Sequence, residues 1–117
     1  MKMQAKDLLG DAQRLFVNGE YEESVKKFTQ AIEAGVEPSL AYLSRGVAYF
    51  KMNRLDESIK DFSKAIEVNK NKTRGYYYRG IAYMSREDYH SALPDLNRVI
   101  ELDSEHGAAF LARGTLY

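Results

Sequence analysis

Three arginines recur at a fixed interval, Arg45, Arg79 and Arg113, and each heads an Arg-Gly pair. Asp61 and Asp95 stand sixteen residues after the first two. A guanidinium and a carboxylate make directional, paired hydrogen bonds, so this spacing can build an ion pair if the intervening chain doubles back. Asp11 and Lys27 keep the same separation with both signs reversed. Other reactive types are sparse. His90 and His106 are the only histidines, and neither lies in an H-x-x-E or HExxH context, so no metal site is expected. No glycine-rich phosphate loop is present, and Ser24 and Ser58 recur where a small packing residue is wanted rather than a nucleophile. An enzyme requires a converging constellation, and none is legible, so no catalytic residue and no cofactor is expected. The remaining feature is the stretch RGYYYRGIAYMS, residues 74 to 85, with three consecutive tyrosines. They could form a ligand site, a stacking platform or recurrent packing.

The elements that must position these groups show themselves by repetition. RGVAY at 45 to 49, RGIAY at 79 to 83 and RGTLY at 113 to 117 each begin 34 residues after the last. FTQAIEA at 28 to 34, FSKAIEV at 62 to 68 and LNRVIEL at 96 to 102 keep that period, as do GEYEES, NRLDES and EDYHSA. Within each unit the apolar positions step by three and four, the spacing of one helical face. Tyr42, Gly46 and Tyr49 fall on a first helix, and Phe62, Ala65 and Ile66 on a second. The break falls at Asn53, with Gly19 and Glu87 in the matching slots. Each unit is therefore a helical hairpin. One hairpin cannot bury its apolar face alone, so neighbours must stack.

Composition bounds the rest. The 117 residues are enough for one domain, 44% hydrophobic and 29% charged. Lysine plus arginine balances aspartate plus glutamate at 17 each, so no net field favours nucleic acid or an anionic membrane. Single-stranded nucleic-acid binders pair their aromatic platforms with a basic groove, so nucleic acid is not expected as a partner. There is no cysteine, which excludes disulfides, thiolate zinc sites and cysteine nucleophiles and fits a reducing compartment. No apolar run approaches the ~18 residues of a membrane span, and the first residues lack a secretory apolar stretch, so the expectation is a cytoplasmic chain. Two prolines among many helix formers point to an all-α protein. Pro38 reads as a stop signal before a helix and Pro94 as lying in the first turns of one.

A 34-residue unit with this pattern resembles the tetratricopeptide repeat. The units are 5–38, 39–72 and 73–106, with a partial fourth, or terminal helix, over 107–117, and the likeness spans the chain as a single domain. The family's large fourth-position residue is Leu8, Tyr42, Tyr76 and Phe110, and its small eighth is Ala12, Gly46, Gly80 and Gly114. The eleventh-position slot holds Leu15, Tyr49, Tyr83 and Tyr117, and the small twentieth holds Ser24, Ser58 and Ala92. Phe28, Phe62 and Leu96 follow, then Ala31, Ala65 and Val99. No tryptophan appears, and the usual proline near the unit's end is shifted to Pro38 or replaced by Lys70 and Ser104. The resemblance implies an all-α, right-handed superhelical stack of three helix-turn-helix repeats plus a terminal helix. The arginines sit where the family usually has leucine. We expect hairpin-internal pairs Asp11–Lys27, Arg45–Asp61 and Arg79–Asp95, worth about 1 kcal/mol or less each unless well buried.

The resemblance also implies a concave face lined by the first helices, which commonly holds a peptide or helix of a partner. Its positions map to Leu9, Gln13 and Phe16 in the first unit, and to Leu43, Val47, Phe50 and Lys51 in the second. The third contributes Arg74, Tyr77, Tyr78, Ile81 and Met84, and the partial fourth Leu111. Lys6 would border the strip. Tyr76 takes the core slot, whereas Tyr77 and Tyr78, about 100° and 200° further round, become groove residues. Such an apolar lining is rarely exposed without use. One branch of the family grips the C-terminal carboxylate of heat-shock chaperones with Lys, Asn, Asn, Lys and Arg. The matching residues here are Leu9, Gln13, Ser44, Arg74 and Tyr78, and only Arg74 keeps a similar charge, so that reading is set aside. The expected function is a non-enzymatic interaction scaffold for a protein or peptide partner, without membrane insertion. The alternative is a structural segment of a longer repeat protein, or a module that self-associates through its C-terminal helix, with the groove covered by its own chain or a second copy.

Overall fold

The computed structural model of the chain describes residues 5–103 and 111–114. Six helices follow one another: α1 (Ala5–Val17), α2 (Tyr21–Glu33), α3 (Pro38–Lys51), α4 (Leu55–Val68), α5 (Thr73–Ser85) and α6 (Tyr89–Leu102). Residues 111–114 are helical as well. His106, Ala108, Phe110, Thr115 and Tyr117, and the side chain of Lys6, lie outside the described residues. The helices pair as α1–α2, α3–α4 and α5–α6, and each hairpin packs on the next through α2–α3 and α4–α5. The result is a superhelical stack, extended to 54 Å along its longest axis. No described helix is long and apolar enough to cross a membrane.

Each hairpin turns through the same device. Glu20, Arg54 and Asp88 donate their amides to the carbonyls of Leu15, Tyr49 and Tyr83 at 2.8, 2.9 and 2.9 Å. Gly19, Asn53 and Glu87, one residue earlier, have φ of 82°, 60° and 63° and donate to Phe16, Phe50 and Met84. This paired bonding satisfies carbonyls that a helix end leaves open, and it requires one left-handed residue. The second helix then starts at once. Of the N-caps of α2 to α6, only Asp88 uses its side chain, accepting from the Ser91 amide at 3.2 Å. Pro38 does not stop a helix from outside. It occupies the first position of α3, where the missing N–H has no helical partner to lose. Pro94 lies inside α6.

The core is built from the second helices. Phe28, Phe62 and Leu96 are almost fully enclosed, and Ala31, Ala65 and Val99 lie beside them without exposure. Burying each large side chain contributes about 1.5–3 kcal/mol. The first helices approach closely because they lack side chains at the crossing: a Cβ on Gly46 would lie 2.6 Å from Phe62 Cε1, and one on Gly80 3.0 Å from Leu96 Cδ2. The buried face of α3 carries Ala41, Leu43, Gly46 and Ala48. Tyr42 and Tyr76 are only half-buried. Tyr76 donates its hydroxyl to the Lys70 carbonyl at 2.9 Å and is flanked by the guanidiniums of Arg79 and Arg98.

Two of the three expected ion pairs form. Arg45 Nε and Nη2 donate to Asp61 at 2.8 and 2.7 Å, and Arg79 repeats this geometry on Asp95 at 2.7 Å for both contacts. The hydrogen bonds to these aspartates hold both guanidiniums above the ordinary arginine pKa. Burial pushes the Asp61 carboxyl up, and the Arg45 hydrogen bonds pull against it. The third nitrogen of each arginine crosses to the preceding unit. Arg45 Nη1 meets Thr29 Oγ1 at 3.0 Å, and Arg79 Nη1 meets Ser63 Oγ at 3.1 Å. Arg113 reaches Asn97 in the corresponding way at 3.4 Å. Arg45 and Arg79 thus each tie their own second helix to the one before. The Asp11–Lys27 pair is a correction. Asp11 is taken by Arg14, one turn along the same helix, and Lys27 stays apart. A neighbour at i+3 reaches a carboxylate without spanning two helices.

Candidate functional site

The first helices α1, α3 and α5 touch in sequence and form one face of the stack. Two adjoining clefts open along it. The first, about 410 Å³, lies between α1, α3 and α5 and is bordered by Gln13, Phe16, Leu40, Ser44, Val47 and Arg74, with Tyr78 at its end. The second, about 360 Å³, is bordered by Phe50, Lys51, Tyr77 and Ile81. Phe16, Val47 and Tyr78 belong to both, so the clefts share a wall.

The aromatic rings of this wall are braced from beneath. Tyr78 stacks on Phe62 with centroids 5.7 Å apart and planes 21° from parallel, and Tyr77 meets Tyr78 edge-on at 5.7 Å. Phe16 leans on Tyr21 at 5.4 Å. The Arg74 guanidinium lies 5.9 Å from the Tyr78 ring centre. Tyr77 and Tyr78 are half-buried, so each packs on one side and faces the cleft on the other.

The expected lining divides into three groups. Gln13, Phe16, Val47, Arg74 and Tyr78 come together at the first cleft, and Phe50, Lys51, Tyr77 and Ile81 join three of those five at the second. Leu9 and Leu43 do not stand on the open wall. Leu9 is 6% exposed among Ala12, Phe28, Ala31 and Ala41, and Leu43 is 2% exposed, forming the floor of the first cleft. Leu9 and Leu43, the fifth residues of the first two units, turn toward the neighbouring helices, whereas Tyr77, the fifth of the third, stays half-buried at the second cleft. Met84 and Leu111 border neither cleft; Met84 is half-buried in the last turn of α5 and Leu111 is largely exposed. Phe28 and Phe62 were missed as floor residues, because their core spacing on the second helices hides that each lies beneath a cleft.

A sequence model of the tetratricopeptide repeat matches residues 39–72 and 73–106. The chain belongs to the tetratricopeptide repeat family. Solved structures of such domains superpose over nearly its whole length. The TPR2B domain of yeast Sti1, in its complex with pHsp70, is 28% identical with a TM-score of 0.86, covering 99% of this chain and 94% of that one. The second TPR domain of human RPAP3, in complex with the HSP70 peptide SGPTIEEVD, is 24% identical with a TM-score of 0.89, covering 97% and 95%. The Arabidopsis OM64 TPR domain is 20% identical with a TM-score of 0.91, covering 96% and 93%. No curated protein matches the chain.

Proposed function

We propose that this tetratricopeptide repeat domain is a non-enzymatic scaffold that takes a peptide or helix of a partner protein into the groove along α1, α3 and α5. The observation that carries the reading is the pair of open clefts walled by Phe16, Val47, Tyr77 and Tyr78. An aromatic wall braced by the fold offers contact area at low rotamer cost. Structural neighbours engage their partners as domains of the same size, among them the yeast Sti1 domain with pHsp70 and the human RPAP3 domain with an HSP70 peptide. A groove of this length supports an interface at or below the standard size, hence moderate affinity.

The test is selection of binders from a random peptide library, followed by affinity measurement with Tyr77→Ala. That variant must first show an unchanged helical signal. Peptides that lose at least about tenfold in affinity against it, or about 1.4 kcal/mol, support the groove. Selected peptides that bind it unchanged sink the reading, as does a library that yields no binder. A second copy of the chain occupying the groove would appear as a concentration-dependent mass in sedimentation.

A further inference from the structure

The charges of the groove are one-sided. Among the described residues, Lys51 and Arg74 are the charged side chains that border the two clefts, both are exposed, and no carboxylate lines either cleft. This is not a reflection of composition, since acids and bases are equal in number over the chain. Among the described residues, neither cation forms an ion pair. The contrast with Arg45 and Arg79 is direct: those arginines are spent on Asp61 and Asp95 inside the stack. Arg74 is instead held against the face of Tyr78, which orients a guanidinium without neutralising it. Lys51 stands at the second cleft and Arg74 at the first, with the shared wall of Phe16, Val47 and Tyr78 between them.

We propose, resting on the groove reading above, that the occupant is an internal segment of a partner protein with a bulky apolar or aromatic side chain flanked on both sides by carboxylates. The apolar side chain enters beside Tyr77 and Tyr78, and the flanking acids meet Lys51 and Arg74. Electrostatic complementarity of this kind sets register and suppresses basic competitors more than it adds affinity. A terminal carboxylate suits the groove less well. It calls for several charge-assisted donors converging on one point. Here Leu9 is buried, Tyr78 is stacked on Phe62, and Gln13 and Ser44 offer neutral donors beside the single cation Arg74.

Two display libraries test this, one of peptides tethered at both ends and one with free C-termini, each against the whole domain and against the double variant Lys51→Glu, Arg74→Glu. Both positions are exposed, and circular dichroism checks that the variant folds. The expected result is enrichment, in the tethered library, of an apolar residue flanked by acids. Such peptides should bind the variant at least about tenfold more weakly, and lose affinity as salt rises from ~0.05 to ~0.5 M. The variant should itself select basic flanks. Tethered binders without acidic bias, or with a bias that survives charge reversal, overturn the inference and leave the groove reading standing. Enrichment confined to free C-termini overturns it in favour of terminal carboxylate capture. No enrichment in either library overturns both.

Discussion

Gly10 and Gly46 are glycines at different positions of neighbouring first helices, and a methyl group should act oppositely on them. At Gly10 nothing lies within 4 Å of the added carbon. Gly10→Ala then gains helix propensity, about 0.5–1 kcal/mol. At Gly46 the same carbon meets the Phe62 ring at 2.6 Å, and that ring is fully enclosed and cannot swing away. Gly46→Ala should lose about 1–3 kcal/mol by overpacking. Denaturant melts of the two variants check both signs, and equal shifts would show that α3 does not press on Phe62 as described. Charge obeys a similar rule at the scale of one residue. Arg79→Ala strands the Asp95 carboxylate, 5% exposed, without its two donors. The expected loss is about 3–5 kcal/mol. A double-mutant cycle with Asp95→Ala should return a coupling above about 1 kcal/mol, far beyond an exposed pair such as Lys26 with Glu23.

Helix ends carry the next level of specification. The three hairpin turns are geometrically alike, yet the left-handed position is glycine in the first, asparagine in the second and glutamate in the third. A side chain in that conformation costs about 1–2 kcal/mol, less for asparagine. Glu87→Gly should therefore raise the melting temperature, by about 0.5–1 kcal/mol in stability, and Asn53→Gly should raise it less. The third hairpin has a compensating device in Asp88. Hydrogen bonds from the Ser91 hydroxyl and amide hold its carboxyl below the ordinary aspartate value. A carboxyl depressed in the folded state contributes stability above its unfolded pKa of about 3.9, and that contribution disappears as pH falls through the folded value. Melts taken at neutral pH and near pH 3 should differ less for Asp88→Ala than for the parent chain. An equal acid loss would assign the sensitivity to other carboxylates.

At the scale of the whole stack, the sequence carries more of the fold than of the groove. The 34-residue period, the hairpin breaks and the Arg–Asp pairs of the second and third units are local or intra-hairpin relations, and a helical wheel is enough to find them. A helical wheel places Leu9 and Leu43 on the groove side because it does not say how far a first helix rolls toward the next unit. Thr29 and Ser63 escaped notice for a related reason: their arginines lie in the following unit, and only the superhelical offset brings them together. Those two hydroxyls bear on cooperativity. A repeat array is held together by nearest-neighbour interfaces, and its transition stays sharp while those interfaces are strong. Small residues and apolar packing supply most of the α4–α5 contact, including Gly75 against Ile66, where a Cβ would lie 2.9 Å from Cγ1. The Arg79–Ser63 bond adds a polar tie across the same boundary. Ser63→Ala removes the hydroxyl, with its own bond to the Ile59 carbonyl at 2.8 Å, and leaves the Arg79–Asp95 pair intact, so the share lost at the boundary is read from which helices lose protection. It should cost about 0.5–1.5 kcal/mol. Amide hydrogen exchange should show it unevenly: α5 and α6 lose protection while α1 to α3 keep theirs, because the break detaches the third hairpin from the first two. Uniform loss along all six helices would mean that the stack unfolds as one unit and that the arginine ties only hold each hairpin to itself.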